Sequence, residues 1–306
     1  MSEIIHGLSN EAYHNSPEYA EYISSSQLKL YLKSPAAYKY AVEHPQPQTD
    51  AMRFGSLFHD VMAAIAEGAS LCEVLDAIAV FKPPINERSG KPFGPQTDRY
   101  KDAYKTFIES DHGSLFGSAD DKELVSAMVR SLLYDCGSTS AQVRKLLRWG
   151  KPEVSIFHET ADGIKIKIRP DLLTDGVIID WKTVNTDDLS EESLNRVILR
   201  YGYHISAAQY QWTAHEVLGE WLDFYEVFVS KMPPHDAVMV DMTNYTYRYL
   251  PDVDLVIPCC GALEFSRLLD LHTKCVKSGE WPGAETFISG DRYKILEIEP
   301  PRYYTN

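Results

Sequence analysis

The sequence lacks any uncharged apolar run near the roughly 18 residues that a membrane span requires. Its start, MSEIIHGLSNEAYH, also lacks the basic, apolar and small-residue succession of a signal peptide. Both absences make a cytoplasmic protein without a membrane partner the expectation. Cysteine is sparse: the five residues at positions 72, 136, 259, 260 and 275 show no CxxC spacing and no even count suited to a disulfide framework, so they read as reduced thiols. Positive charge is in deficit, with 30 Lys and Arg against 44 Asp and Glu and a net charge of -14. That balance argues against a surface that coats nucleic acid, because non-specific binding depends on Lys and Arg displacing counterions. Any DNA contact must be local, whereas carboxylates, which are plentiful, are the ligands that hard cations such as Mg²⁺ prefer. Repeats at solenoid period and low-complexity tracts are missing as well.

What is present is the composition of an ordinary globular protein, 44% hydrophobic and 24% charged. The length of 306 residues predicts one domain spanning 1–306, with a mostly helical N-terminal part to about 150 and a sheet core with C-terminal helices in 151–306. SSSQLKLYL and Ser34-Pro35 each give a cap followed by helical spacing. FGSLFHDVMAAIAEG predicts a helix from about Ser56 to Gly68 that carries His59. From Phe81 to Asp98 the chain turns to Pro, Gly and charge, a loop long enough to serve function. Helical patterns resume over 98–110, 120–134 and 138–148.

The character changes at Pro152. PEVSIFHE, IKIKIRPDLL and VIIDWKTV are β-rich runs separated by Asp162-Gly163 and Asp175-Gly176, and Asp-Gly between such runs predicts hairpins, here an antiparallel meander. Beyond it, 192–200 and 203–219 read as helices, DFYEVFVSK and HDAVMVDM as strands, and 254–279 as one long final helix. The fold class is α/β, a central sheet flanked by helices.

The chemistry concentrates in the meander. Asp171 precedes Asp180 by nine residues across a tight turn, and Asp180 and Lys182, two apart, project from one strand face while Trp181 points to the other. If register sets Asp171 opposite them, two carboxylates and an ammonium converge. Such a pair suits Mg²⁺ or Mn²⁺, with the Lys orienting or helping to deprotonate the attacking water, or offsetting phosphate charge. An isolated Asp-x-Lys is more often a surface ion pair. Here the apolar VIID run argues for a central strand, where an unneeded Asp is costly. Lys165, Lys167 and Arg169 alternate toward Asp171, either as a row for phosphates or as a solvated face. Arg88 and Lys91 lie in the long loop, to touch DNA or to keep it soluble.

Pro170-Asp171 with Asp180-Trp181-Lys182 resembles the signature of the PD-(D/E)xK nuclease superfamily, which implies a restriction-endonuclease-like core with a helical N-terminal elaboration. The order of surrounding features is similar to RecE-type (exonuclease VIII) and RecB-type nuclease domains: HGLSNEAYHNSP, ISSSQLKLYLKSPAAYKY, FGSLFHDVM, NERSGK, YGYHISAAQYQWTAHEVLG, GEWPG and EPPRYY. The resemblance implies metal binding by His59, Asp171, Asp180 and the Trp181 carbonyl, with Lys182 as the catalytic lysine and Glu153 as an assisting acid. It places Tyr203, His204, Gln209 and Tyr210 near the DNA backbone. Ser34 stands where some RecB-like relatives carry a cluster-binding Cys, so no iron-sulfur cluster is expected. The implied activity is Mg²⁺-dependent (Mn²⁺ as substitute) exonuclease action on linear double-stranded DNA. It runs 5′ to 3′ and leaves 3′ single strands, in phage-type recombination. The implied partners are further copies in a ring of three or four and a single-strand annealing protein. Rival readings are an endonuclease or a RecB-like single-strand nuclease on the same core, and a catalytically silent DNA-binding or scaffold module.

Overall fold

The computed structural model describes residues 2–110 and 115–284, so EPPRYY lies outside the described residues. Its architecture is mixed α/β, with a central sheet covered by helices on both faces. The five-stranded sheet runs Ala237–Asp241, Asp223–Ser230, Val177–Val184, Leu172–Leu173, Lys151–Pro152 in spatial order. Val177–Val184 is its centre, antiparallel to Leu172–Leu173 and parallel to Asp223–Ser230. A parallel neighbour demands a crossover. Helices Glu191–Tyr201 and Tyr203–Leu218 provide it, broken apart by Gly202 in the left-handed region at φ +64°.

Alternation along the central strand assigns its two faces. Ile179 and Trp181 pack with Val227 and Val229 against helices Asp50–Ala66 and Ala119–Tyr134, through Phe58, Val61, Met128 and Leu132. Ile178 and Val184 pack with Phe224 and Phe228 against Ile198, Ala207 and Ala214 of the crossover helices. Asp180 and Lys182 therefore belong to the crossover-helix face and Trp181 to the other.

The meander expectation needs correction. PEVSIFHE and IKIKI do form a hairpin through Gly163, but in a separate three-stranded sheet of Ser2–Ile5, Ser155–Glu159 and Lys165–Ile168. The chain leaves that sheet at Arg169-Pro170, where the proline has no N–H for the ladder. It re-pairs as Leu172–Leu173 with the central strand, through the Gly176 turn. The break sets Asp171 at the junction of the two sheets.

Other boundaries shift for local reasons. The His59 helix starts at Asp50, well before the expected Ser56, and is capped by the Thr49 hydroxyl that accepts from the Met52 N–H. Leu71–Ala77 is a further helix, closed by a Ser70/Glu73 capping box. The long final helix begins only at Cys260. Leu255–Pro258 ahead of it is a strand paired with Tyr247–Leu250, because the β-branched run and Pro258 favour extended backbone over helix. Among the described residues no helix is long and apolar enough to cross a membrane.

A further core cluster, with Leu28 and Tyr31 against Phe265 and Leu268, closes the N-terminal segment onto the final helix. Tyr31 Oη and His272 Nδ1 lie 2.7 Å apart, and Tyr38 stacks between Tyr31 and Trp281. Burial holds the His272 imidazole down to about 4. The unfolded chain takes up this proton near pH 6.5, so the stability tied to neutral His272 is complete above about pH 6.5 and is lost as pH falls through about 4. Between about pH 7 and about pH 5, the urea midpoint of the wild type should therefore fall further than that of His272→Gln. Equal falls would remove His272 from the acid response.

Candidate active site

Register does what the hairpin promised. Leu172 pairs with Ile179 and Leu173 with Ile178, which carries Asp171 to a position across from Asp180. The Asp171 carboxylate is then used on both sides: Oδ2 accepts the Trp181 backbone N–H at 2.6 Å, and Oδ1 lies 3.0 Å from His59 Nδ1. His59 arrives from the Asp50–Ala66 helix, whose Phe58 and Val61 are anchored in the core, so its ring is aimed by packing. Asp180 shares a hydrogen bond with Asp171, and its Oδ2 forms an ion pair with Lys182 Nζ. Both acids are only 7% exposed, a location where a carboxylate without partners would be costly.

Glu153 completes the group from a strained position. Its φ of +52° is uncommon for a non-glycine residue, and strain of this kind persists only where surrounding contacts enforce it. Arg169 Nε, 2.9 Å from Glu153 Oε2, is one of those contacts. Ligand atoms of His59, Glu153 and Asp171 all lie within 4.8 Å of one another. The set of imidazole nitrogen and carboxylate oxygens fits a hard divalent cation.

The electrostatics follow from this crowding. Burial alone would push the Asp171 carboxyl up, but His59 and Lys182 beside it hold it well below the usual carboxylate range. Burial pushes Asp180 up against the pull of Lys182, and the Asp171 charge adds to the rise. Glu153 is raised to about 7, mainly by burial and then by Asp171, with Arg169 opposing. Burial disfavours a charged His59, yet the Asp171 carboxylate outweighs it and lifts the ring to about 9. Lys182 is likewise desolvated, yet Asp180, then Glu226 and Asp171, raise it above an ordinary lysine. Two carboxylates in contact, one of them holding protons more tightly than usual, are a pair whose repulsion a cation would relieve.

The remaining expected residues are placed less uniformly. Tyr203 opens the second crossover helix with the Lys182 ammonium 4.9 Å from its ring centroid. Tyr210, on the same helix, stands close enough to Asp171 and Asp180 for their charges to act on its phenol, and is bonded to the Arg169 backbone. His204 is buried, 3.4 Å from Ile198 O and from Glu264 Oε2. Gln209 points inward and donates to the Ile23 and Lys167 carbonyls, so it does not face a DNA backbone. The row Lys165, Lys167, Arg169 corrects in the same sense. Lys165 pairs with Glu21 at 2.6 Å, and Lys167, 4% exposed, donates to the Tyr13 and Tyr19 carbonyls. Arg169 reaches the Leu8 carbonyl as well as Glu153. These three cations tie the N-terminal segment to its strand. Arg88 and Lys91 are exposed on a turn closed by Asn86 N–H to Lys91 O at 2.8 Å. The Trp181 backbone contributes its N–H to Asp171.

Two participants were missed in the sequence. Glu226 is fully buried opposite Asp180 on the parallel strand, and Lys29 brings its ammonium 5.5 Å from the Tyr203 ring centroid. A signal for Glu226 was there to be read: Phe224, Glu226 and Phe228 occupy one face of an apolar strand, where a lone acid needs a reason.

Among known proteins, the family described as "PDDEXK-like domain of unknown function (DUF3799)" matches residues 24–283. A solved structure from Eubacterium rectale, described as a "Putative exonuclease", is similar with a TM-score of 0.55, covering 98% of this chain and 98% of its own at 17% identity. Likeness at that identity is a likeness of fold. No curated protein matches the sequence.

Asp171→Ala and Asp180→Ala should each weaken Mn²⁺ binding, measured calorimetrically, by more than about 10-fold. Unaltered affinity in a folded variant would place the metal elsewhere.

Proposed function

The chain belongs to the PDDEXK-like domain family, and on that premise we propose that it is a Mg²⁺-dependent deoxyribonuclease that degrades linear double-stranded DNA from its ends. The observation that carries the reading is the convergence of Asp171, Asp180 and Lys182 at a buried strand junction, with His59 and Glu153 against Asp171. A silent scaffold would have no physical reason to keep such a group desolvated. The name of the Eubacterium rectale protein favours exonuclease action over internal cutting.

His59, Glu153, Asp171 and Asp180 would hold the cation, with the Trp181 carbonyl as a further donor on the same strand. When bound, a divalent cation supplies Lewis-acid polarisation of the phosphate and acidifies a water. The chain's own residues set the rest. The Trp181 N–H fixes one oxygen of Asp171, and His59 fixes the other. Lys182 keeps its proton at neutral pH because three carboxylates surround it. Carrying its proton, it would orient the attacking water and counter charge on the phosphate in the transition state. The Tyr203 ring limits where this ammonium can go.

The finer reading adds 5′-to-3′ polarity, a ring of three or four copies and an annealing partner in phage-type recombination. It is supported by the order of RecE-like motifs along the chain, and by a net charge of -14 that would keep DNA off outer surfaces. With end-labelled linear duplex, the wild type should release nucleotides only when Mg²⁺ is supplied, and Lys182→Ala should lose cleavage while retaining Mn²⁺ binding. Cutting of closed circular duplex would contradict end-dependence, and unchanged turnover in Lys182→Ala would remove Lys182 from the chemistry.

A further inference from the structure

Glu226 has no solvent exposure, and among the described residues neither of its carboxyl oxygens has a hydrogen-bond partner. A buried acid in that condition is destabilising unless cations lie near. It is the register partner of Asp180 on the adjacent parallel strand, so the two side chains share a face with Lys182. Burial pushes its carboxyl up to about 8 while two ammonium groups, Lys182 and Lys29, pull it back, so an ammonium brought closer favours the carboxylate. Both of those ammonium groups lie against the Tyr203 ring. The Lys29 stem runs beside Gly202, close enough that a Cβ there would meet it at 2.8 Å.

The arrangement meets a conflict inherent in the proposed metal centre. Lys182 is bonded to Asp180 Oδ2, and Asp180 is a carboxylate that the cation needs. One oxygen cannot serve an ammonium and a divalent ion at full strength. We propose that Glu226 is the positioning residue for Lys182. Its two unengaged oxygens take up the ammonium when the cation draws on Asp180, so that lysine and metal do not compete. Lys29 balances the charge of Glu226 meanwhile. The inference rests on the metal-dependent reading, yet it concerns a residue outside the proposed ligand set.

Glu226→Gln tests it, since the amide keeps the volume and removes the charge. Glu226→Leu serves should the amide fail to fold, because an apolar residue there requires no hydrogen bonds. With Lys182 confined to Asp180, calorimetric Mn²⁺ affinity should fall about 10-fold, the size typical of lost outer contacts at metal sites. In a Lys182→Met background, where nothing competes for Asp180, the same substitution should leave Mn²⁺ affinity unchanged. On linear duplex, kcat should drop with KM for DNA unaltered. An equal loss of affinity in both backgrounds would overturn the proposal, as would unchanged affinity and kcat in a folded Glu226→Gln protein. Either result leaves the metal centre itself standing. A wild type that binds Mn²⁺ but cuts no DNA removes the nuclease reading alone, since the affinity comparison is independent of cleavage.

Discussion

Everything at the site depends on how the Asp171 carboxylate is fixed. One oxygen is bonded to the backbone of the central strand through the Trp181 N–H, and the other faces His59 on the Asp50–Ala66 helix. The residue thus joins sheet to helix. A side chain held this way has little rotational freedom left to lose, which is what preorganised ligation requires. The cost of desolvating the acid is offset by charge-assisted bonds of the stronger kind. The chain reaches this point only because Pro170 ends one sheet and lets the next two residues join another.

A second consequence concerns charge. The protein is acidic overall, and the cations nearest the site are nearly all engaged by its own groups. Lys165, Lys167 and Arg169 bind the N-terminal segment, which carries Tyr13 under both Lys167 and Arg169. Their alternation on the strand was visible in the sequence, but which partner would cover them was not. Covering segments from residues 8–23 are remote in sequence, and no local pattern announces a contact made across about half the chain. Gln209 hides for the same reason: a glutamine on an amphipathic helix reads as polar surface until a carbonyl from elsewhere is found beneath it.

By contrast, features governed by short-range physics were legible. The two Asp-Gly turns, the faces of Asp180 and Trp181, the mixed helix and strand order and the His59 helix all follow from periodicity and turn chemistry. Those signals act over a few residues, where backbone preference decides. The failures lie where tertiary pairing overrode them. IKIKIRPDLL was one run in sequence and two strands in space, and LVIP read as the start of a helix until its hairpin partner appeared. Glu226 belongs between these classes, since its anomaly was local while its meaning came from the strand beside it.

The central claim is that Asp171 and Asp180, at the junction of two sheets, hold a divalent cation. Anomalous diffraction from crystals soaked in Mn²⁺ tests it directly. The account predicts a peak at coordination distance, about 2.1 Å, from an oxygen of each acid, with His59 or Glu153 turned toward it. A peak at a different cluster, or none while Asp171 stays bonded to His59 and the Trp181 N–H, would contradict it.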